Sequence, residues 1–241
     1  MQKLIAELTE RLTKTFSDRL VSAILYGSAA TGEYNRDYSD INVLCVLTRV
    51  TPAELRDSEP IFRWWRQKGN PAPLLLSEEE VRTAADCFPI EFHDIKERRR
   101  ILAGRDLIQD LVIDDRYYRA QIEYQLRAKL LRLRQKAAGV LHDKVLLSRL
   151  LLDSISTFCI LFRHALKLAG YSPDHSRRSV VEELGRRFQI DPAPLLQILT
   201  LREGKPVLNP EPPEHLFAAY LIQIQRVIDV VDRLNQPEIV S

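Results

Sequence analysis

The chain has 241 residues, a formal net charge of +2, and 45% hydrophobic and 28% charged residues, which is ordinary for a folded protein of one or two domains. So small a net charge excludes a whole-protein field that recruits nucleic acid, and any basic site must be local. Frequent acids over residues 1–16, and polar residues that interrupt the apolar segments 145–152 and 155–162, exclude a signal peptide and a membrane span.

Two apolar runs near the amino terminus predict the central strands of an α/β region. Leucine and phenylalanine recur at helical spacing before them, which predicts an amphipathic first helix over residues 2–19. The runs themselves, at 23–26 and 41–47, have the near-continuous apolar character of buried strands. The turn-rich connection between them opens with Gly27 and Ser28.

The following segments continue the alternation of helix and strand. We predict a helix over 52–68, which Pro60 kinks or divides. A short strand over 73–76 comes next, and then a helix over 77–85 that opens with a capping box.

Residues 88–95, with the sequence FPIEFHDI, are predicted to form a fourth strand. On a strand, Glu91 and His93 share one face and Asp94 lies on the other. The basic residues that follow predict a helix ended by Gly104.

Beyond residue 112 the strand-like alternation ends and long helical patterns take over. The sequence therefore predicts two domains, an α/β domain over residues 1–112 and an α-helical bundle over residues 113–241. Five helices are expected in the bundle, one with an apolar stripe from Ile122 to Ala137 and the others over 143–169, 179–188, 192–202 and 214–234.

The connection after the first strand carries the residues that indicate chemistry. A glycine and a serine directly after a buried strand, Gly27 and Ser28, leave N–H groups and a hydroxyl at the start of the next helix, which suits a phosphate. Asp40 and Asn42 are two residues apart on a strand, so their side chains project from the same face. A phosphate cradle beside paired oxygen ligands indicates nucleotide and divalent-metal chemistry.

This pattern resembles the nucleotidyltransferase superfamily of DNA polymerase β, and most of all its kanamycin-type and minimal members. The signature of that superfamily is Gly-Ser, a spacer, two acids separated by one residue on a strand, and a third carboxylate on a later strand. Gly27, Ser28, Asp40 and Asn42 match the first elements, and Glu91 matches the last. The resemblance implies an α+β fold in which a mixed β-sheet with flanking helices precedes the α-helical bundle.

The resemblance also implies a role for each of these residues. Gly27 and Ser28 would bind the nucleotide through its triphosphate. Asp40, Asn42 and Glu91 would hold Mg²⁺, and Asp40 and Glu91 would be catalytic, with Glu91 activating the acceptor hydroxyl. Because Asn42 stands where the family has an acid, we expect a weakened metal site that holds one ion rather than two.

Asn42 leaves two functions open. One is Mg²⁺-dependent transfer of a nucleoside monophosphate from an NTP, with ATP expected, to a hydroxyl of a small molecule or a protein. The other is a catalytically degenerate member that acts as a nucleotide-binding or partner-binding sensor, scaffold or antitoxin. Asp37 and Asp94 are near enough in sequence to restore the lost charge, but Asp94 would face away from Glu91 on a regular strand.

A basic segment also has two interpretations. Residues 116–136 carry seven basic side chains and one acid, Glu123, which fits a solvated helix face or a helix that meets the triphosphate or a polyanionic acceptor. Glu123 is expected to pair with Arg127 four residues on. The resemblance makes Glu123 an alternative base.

The remaining expectations concern partners and location. Cys45, Cys87 and Cys159 lie far apart without metal-ligand spacing and are interpreted as buried free thiols of a cytoplasmic protein. Nucleic acid and membrane are not expected as partners. Related kanamycin-type enzymes build sites across a dimer, so a homodimer is expected.

Overall fold

The computed structural model describes residues 1–31 and 41–234. Its internal contacts divide the chain into two compact units, the first from Met1 to Arg116 and the second beginning at Tyr117.

The first unit is built on a four-stranded mixed sheet. Its strands are β1 (Leu20–Tyr26), β2 (Asn42–Leu47), β3 (Leu74–Ser77) and β4 (Arg99–Gly104), in the spatial order β3-β2-β1-β4. β1 is antiparallel to both β2 and β4, whereas β2 is parallel to β3. This arrangement confirms the predicted mixed sheet.

Helices cover both faces of the sheet. They are α1 (Gln2–Phe16), α2 (Ser28–Thr31), α3 (Pro52–Gln67), α4 (Glu78–Thr83) and α5 (Pro89–Glu97). Successive side chains of a strand point to opposite faces, so Ala23 and Leu25 of β1 join a core with α1 and α3. Ile24 joins a second core, with Phe92 and Ile95 of α5, on the other face.

The segment from Phe88 to Gly104 differs from the prediction. The predicted strand 88–95 is the helix α5, and the predicted helix 96–104 contains the strand β4. Pro89 occupies the first helical position, which requires no N–H group, and Pro89, Phe92 and Ile95 bury one face of the helix at intervals of three. The strand β4, and not residues 88–95, occupies the place beside β1.

Gly104 ends a strand and not a helix. Its φ is 75°, and a Cβ atom there would lie 2.1 Å from the carbonyl oxygen of Val21. Only glycine therefore lets the end of β4 approach β1 this closely.

Three smaller expectations are also corrected. α1 ends at Phe16 and is followed by a 3-10 turn, Ser17–Arg19, so the helix does not continue to residue 19. α3 runs through Pro60 as one element, so Pro60 does not divide the helix, and the predicted kink stays a prediction. Cys87 is exposed, so the interpretation as a buried thiol holds only for the other two cysteines.

The second unit contains the predicted bundle. In the part of the chain that is described, it has five α-helices: α6 (Tyr118–Ala138), α7 (Lys144–Leu168), α8 (Arg177–Phe188), α9 (Ala193–Arg202) and α10 (Pro213–Arg233). Among the described helices, α7 alone is long and apolar enough to cross a membrane by length and composition. In the structure α7 packs against the other four helices and buries Ile155, Phe158 and Phe162.

Candidate functional site

Tyr26, Gly27 and Asn42 meet at one end of the sheet. Tyr26 is the last residue of β1 and lies opposite Asn42, the first residue of β2. Strand alternation places both side chains on the face that α5 covers, together with Ile24 and Leu44. The Nδ2 atom of Asn42 lies 3.6 Å from the position that a Cβ of Gly27 would take. The Asn42 amide therefore lies directly against the turn that follows β1.

Gly27 makes the turn that leads to Ser28. Its φ of 75° is a left-handed conformation that favours glycine. Its N–H donates to the carbonyl oxygen of Arg98 at 2.9 Å, and its carbonyl accepts from the N–H of Ala30 at 3.0 Å. The N–H of Gly27 is thus engaged within the fold, which corrects the expectation of an unhindered donor there. Ser28 begins the four-residue helix α2.

Glu91 and Asp94 lie together on α5. Residues three apart on a helix share a face, so the prediction that Asp94 faces away from Glu91 is wrong. The carbonyl of Asp94 accepts from the N–H of Arg98 at 3.1 Å, and the carbonyl of Arg98 in turn accepts from Gly27. This turn of α5 therefore adjoins the end of β1.

The carboxylates of Glu91 and Asp94 both affect the pKa of the Tyr26 hydroxyl. Burial, together with the negative charges of Glu91 and Asp94, raises the pKa of Tyr26 to about 12. Because the Coulomb interaction weakens with distance, both carboxylates must lie near this hydroxyl. Glu91 is exposed, and its carboxylate forms no hydrogen bond or ion pair with any described residue. Glu91 is thus placed to take a proton or a cation.

Asp40 lies outside the described residues, so its predicted role stays a prediction. Among the residues that are described, no group of three or more His, Cys, Asp or Glu side chains is placed to hold a metal ion. The oxygen donors at the end of β1 are the amide of Asn42 and the carboxylates of Glu91 and Asp94. These are the hard ligands that Mg²⁺ prefers, so the chemistry of the donor set fits this ion.

Glu123 is held by two arginines of its own helix, α6. Its carboxylate accepts hydrogen bonds from Arg119 and Arg127, each at 2.7 Å, which confirms the predicted pairing with Arg127. Burial alone would raise the pKa of Glu123, but the bonds from Arg127 and Arg119 outweigh it and lower the pKa. A carboxylate stabilised in this way is a weaker base than an unpaired one.

His93 makes a structural contact. Its Nε2 atom lies 2.7 Å from Oδ1 of Asp115, which connects α5 to the chain segment that ends the first unit. On the helix, His93 lies about 160° around the axis from Glu91. The predicted shared face of these two residues, which assumed a strand, is therefore wrong.

Sequence reasoning missed Tyr26 as a member of this site. Its signal was its position directly before Gly27, two residues after the buried Ile24. Many tyrosines end buried strands, so this position becomes informative only when the structure shows that Tyr26 lies on the sheet face that α5 covers.

Comparison with known proteins identifies the family. Residues 5–126, half of the chain, match the family described as nucleotidyltransferase domain. The chain belongs to this family. It is accordingly a nucleotidyl-transferring enzyme, and the matched range includes Gly27, Asn42 and Glu91.

A solved nucleotidyltransferase has the same overall fold. The structure of spectinomycin adenyltransferase AAD(9) from Enterococcus faecialis with ATP and spectinomycin aligns with a TM-score of 0.63 and 13% sequence identity. The alignment covers 97% of this chain and 100% of that chain, so it includes the helices that follow the sheet domain. No curated protein matches the chain.

Proposed function

We propose that this nucleotidyltransferase moves a nucleoside monophosphate from an NTP, in the first place ATP, to a hydroxyl group of a small molecule. The observation that carries the proposal is the position of Glu91 beside Tyr26, at the end of the sheet where Gly27, Ser28 and Asn42 lie. Support for a small-molecule acceptor comes from AAD(9), whose structure was solved with ATP and spectinomycin.

The reaction forms one bond to phosphorus and breaks another. The acceptor oxygen bonds to the α-phosphorus, the bond from that phosphorus to the oxygen bridging to the β-phosphate breaks, and pyrophosphate leaves. The proton of the acceptor hydroxyl passes to the carboxylate of Glu91. Glu123 is less available as a base, because two arginines hold its carboxylate.

Asp40, Asn42 and Glu91 would hold Mg²⁺ in this reaction, and Ser28 would contact the triphosphate. Bound Mg²⁺ offsets the negative charge of the triphosphate and of the leaving pyrophosphate. Asn42 supplies a neutral amide oxygen where the family pattern has a carboxylate. We therefore expect weaker Mg²⁺ binding than a three-carboxylate set would give.

Asn42 also favours a second function. A member that binds nucleotide while its metal site is too weak for turnover would act as a sensor, scaffold or antitoxin. Its expected signature is tight binding of ATP or of a partner protein that does not depend on Asp40 or Glu91.

Pyrophosphate release tests the proposal. Each of the four NTPs is combined with a panel of spectinomycin and aminoglycosides, in Mg²⁺ or Mn²⁺. We expect Asp40→Ala and Glu91→Ala to abolish this release. Glu97→Gln, a change six residues further along α5, should retain it. ATP binding by calorimetry without release for any pair would overturn transfer to a small molecule and favour the second function.

Three further predictions belong to this proposal. A homodimer is expected by light scattering, and a cytoplasmic location by fractionation.

The basic face of α6 is either solvated or meets the triphosphate or a polyanionic acceptor. Charge reversal at Lys129, which is exposed on α6, lowers ATP affinity only in the second case.

A further inference from the structure

We infer that the outward face of α6 docks an amphipathic helix of another protein, and that acidic residues border the apolar stripe of this partner helix. The inference goes beyond the proposed function, because no residue of the site at the end of β1 belongs to this face. It concerns the second unit alone, in which α6 is described over its whole length.

The outward face of α6 carries no charge. The helix packs on the bundle through one face, whose buried members are Tyr118, Ile122, Leu126, Leu130, Leu133 and Ala137. Successive residues of a helix are turned by about 100° around its axis. The opposite face, which we call the outer stripe, therefore consists of Ala120, Gln121, Tyr124, Ala128, Leu131, Gln135 and Ala138. Charged residues are frequent on α6, but none of them belongs to the outer stripe.

Two large side chains of the outer stripe are exposed to solvent. Tyr124 and Leu131 lie seven residues apart, so they stand on one line along the helix. They expose 66% and 58% of their surface. A helix with apolar residues on two opposite faces is typically covered on both. The outer stripe is therefore interpreted as a contact surface.

Arginines border the outer stripe on both sides. Arg127 and Arg134 lie along one side and Arg132 along the other, and all three are exposed. The acid of α6, Glu123, pairs with Arg127 at 2.7 Å. Arg132 forms no ion pair with any residue that the structure describes. Both borders of the stripe therefore present positive groups, and that of Arg132 is not neutralised.

This charge pattern selects the partner. Where two helices pair, the residues beside the apolar seam decide which helices associate. A second copy of α6 would set arginines against arginines in either orientation, which is unfavourable. Glutamates of a partner helix would instead pair with Arg127 and Arg132, while its apolar residues pack on Tyr124 and Leu131. The stripe is about five helical turns long, which is enough for a whole partner helix.

Fluorescence anisotropy of two labelled peptides, titrated with the full-length protein, tests the inference. Both peptides have leucines at alternating intervals of three and four residues, and one has glutamates beside the leucines where the other has lysines. We expect only the glutamate peptide to bind. Leu131→Glu should weaken its binding about tenfold or more. The matched control is Val145→Glu, which changes a 76% exposed apolar residue of α7 and should leave binding unchanged.

Charge reversal at Arg132 tests the chemistry of the partner. Arg132→Glu should weaken binding of the glutamate peptide and strengthen binding of the lysine peptide, because the new charge repels the first and attracts the second. Equal binding of both peptides to the parent protein would overturn the acidic character of the partner.

Three further results would overturn the inference. One is a parent protein that binds neither peptide. Another is a dimer, seen by light scattering, that Leu131→Glu dissociates, because the stripe would then bind a second copy of the chain. The third is binding of single-stranded RNA in place of either peptide, which would assign the arginines to nucleic acid. Circular dichroism checks that each variant is folded, and Tyr124→Glu replaces Leu131→Glu if the latter does not fold.

Discussion

Two carboxylates of the first unit, Glu54 and Glu91, have contrasting surroundings. Glu54 is fully buried at the start of α3, where it accepts hydrogen bonds from the Thr51 hydroxyl at 2.5 Å and from Arg19 at 3.1 Å. The bond from the Thr51 hydroxyl above all, and then the bonds from the backbone N–H of Glu54 and from Arg19, lower the pKa of Glu54 to about 2 in spite of its burial. Glu91 is exposed and forms no comparable bond with any described residue.

The contrast separates a carboxylate that stabilises the fold from one that is available for chemistry. A charge removed from water must be matched by donors, or it destabilises the folded chain. A carboxylate that takes a proton or a cation must instead keep its lone pairs for the ligand. Changes at Glu54 should therefore affect stability, and changes at Glu91 should affect activity.

The largest effect is expected for Glu91→Gln. Loss of the base should lower the rate of pyrophosphate release by about 100-fold or more. The melting temperature should fall only slightly, because the exposed carboxylate forms no hydrogen bond or ion pair with the described residues and contributes only its favourable position in the first turn of α5. Rate and thermal denaturation are measured on the same preparation, with Glu97→Gln as control. A variant that keeps its rate would remove Glu91 from the reaction.

Glu54→Gln should lower the melting temperature and leave the reaction rate unchanged, the opposite of Glu91→Gln. It removes the negative charge that Arg19 faces, so we expect the melting temperature to fall by roughly 5 °C, while the rate per folded molecule is unchanged. The matched control is Glu59→Gln on the same helix, whose ion pair with Arg63 is exposed and should contribute little. Equal melting temperatures for the two variants would contradict the structural role of Glu54.

The contribution of Glu54 should depend on pH. Its folded-state pKa of about 2 is below the ordinary 4.5, so the stabilisation is complete above the ordinary value and is lost as the pH falls through the folded-state value. We expect the difference in melting temperature between parent and Glu54→Gln to narrow as the pH falls from 4.5 toward 2. A difference independent of pH over that range would show that burial of the side chain, and not its charge, is responsible.

A further effect on stability is expected for Thr51→Ala. Thr51 caps α3 by accepting from the N–H of Ala53 at 3.2 Å, and loss of such a cap typically costs about 1 kcal/mol. Its hydroxyl also donates to the buried Glu54 carboxylate at 2.5 Å, so the expected fall in melting temperature is roughly 5 °C, close to that of Glu54→Gln. Thr51→Ser keeps the hydroxyl and should therefore keep most of the parent melting temperature. A fall in melting temperature as large as that of Thr51→Ala would argue against the cap.

Much of this fold can be predicted from local patterns. The apolar runs of β1 and β2 and the helical stripes of the bundle are confirmed, because strand and helix periods differ enough to be read from one chain. The capping box of α4 is confirmed as well, with the Ser77 hydroxyl accepting from the N–H of Glu80 at 3.2 Å. These features depend on residues only a few positions apart.

The segment around α5 and β4 could not be predicted in the same way. The short sequence PIEFHDI alternates apolar and polar residues well enough for a strand, and RRILAG is basic enough for a helix face. What decides between the alternatives is which segment pairs with β1, over about 75 residues of chain separation. The roles of Gly27, Ser28, Asp40, Asn42 and Glu91 stay predictions until the metal and nucleotide experiments are done.

Local sequence was sufficient to predict β1 and β2, with Gly27 directly after the first strand and Asn42 in the second, because strand periodicity can be recognised in one chain. Local sequence was also sufficient for the family and for the helical bundle. The pairing of the two strands, which brings Gly27 and Asn42 together, was decided by the tertiary structure. The neighbours of this pair were decided by the packed structure. Since β4 occupies the edge beside β1, the preceding residues form a helix on the face of Tyr26 and Asn42. That helix puts Asp94 beside Glu91, where a strand would have separated them.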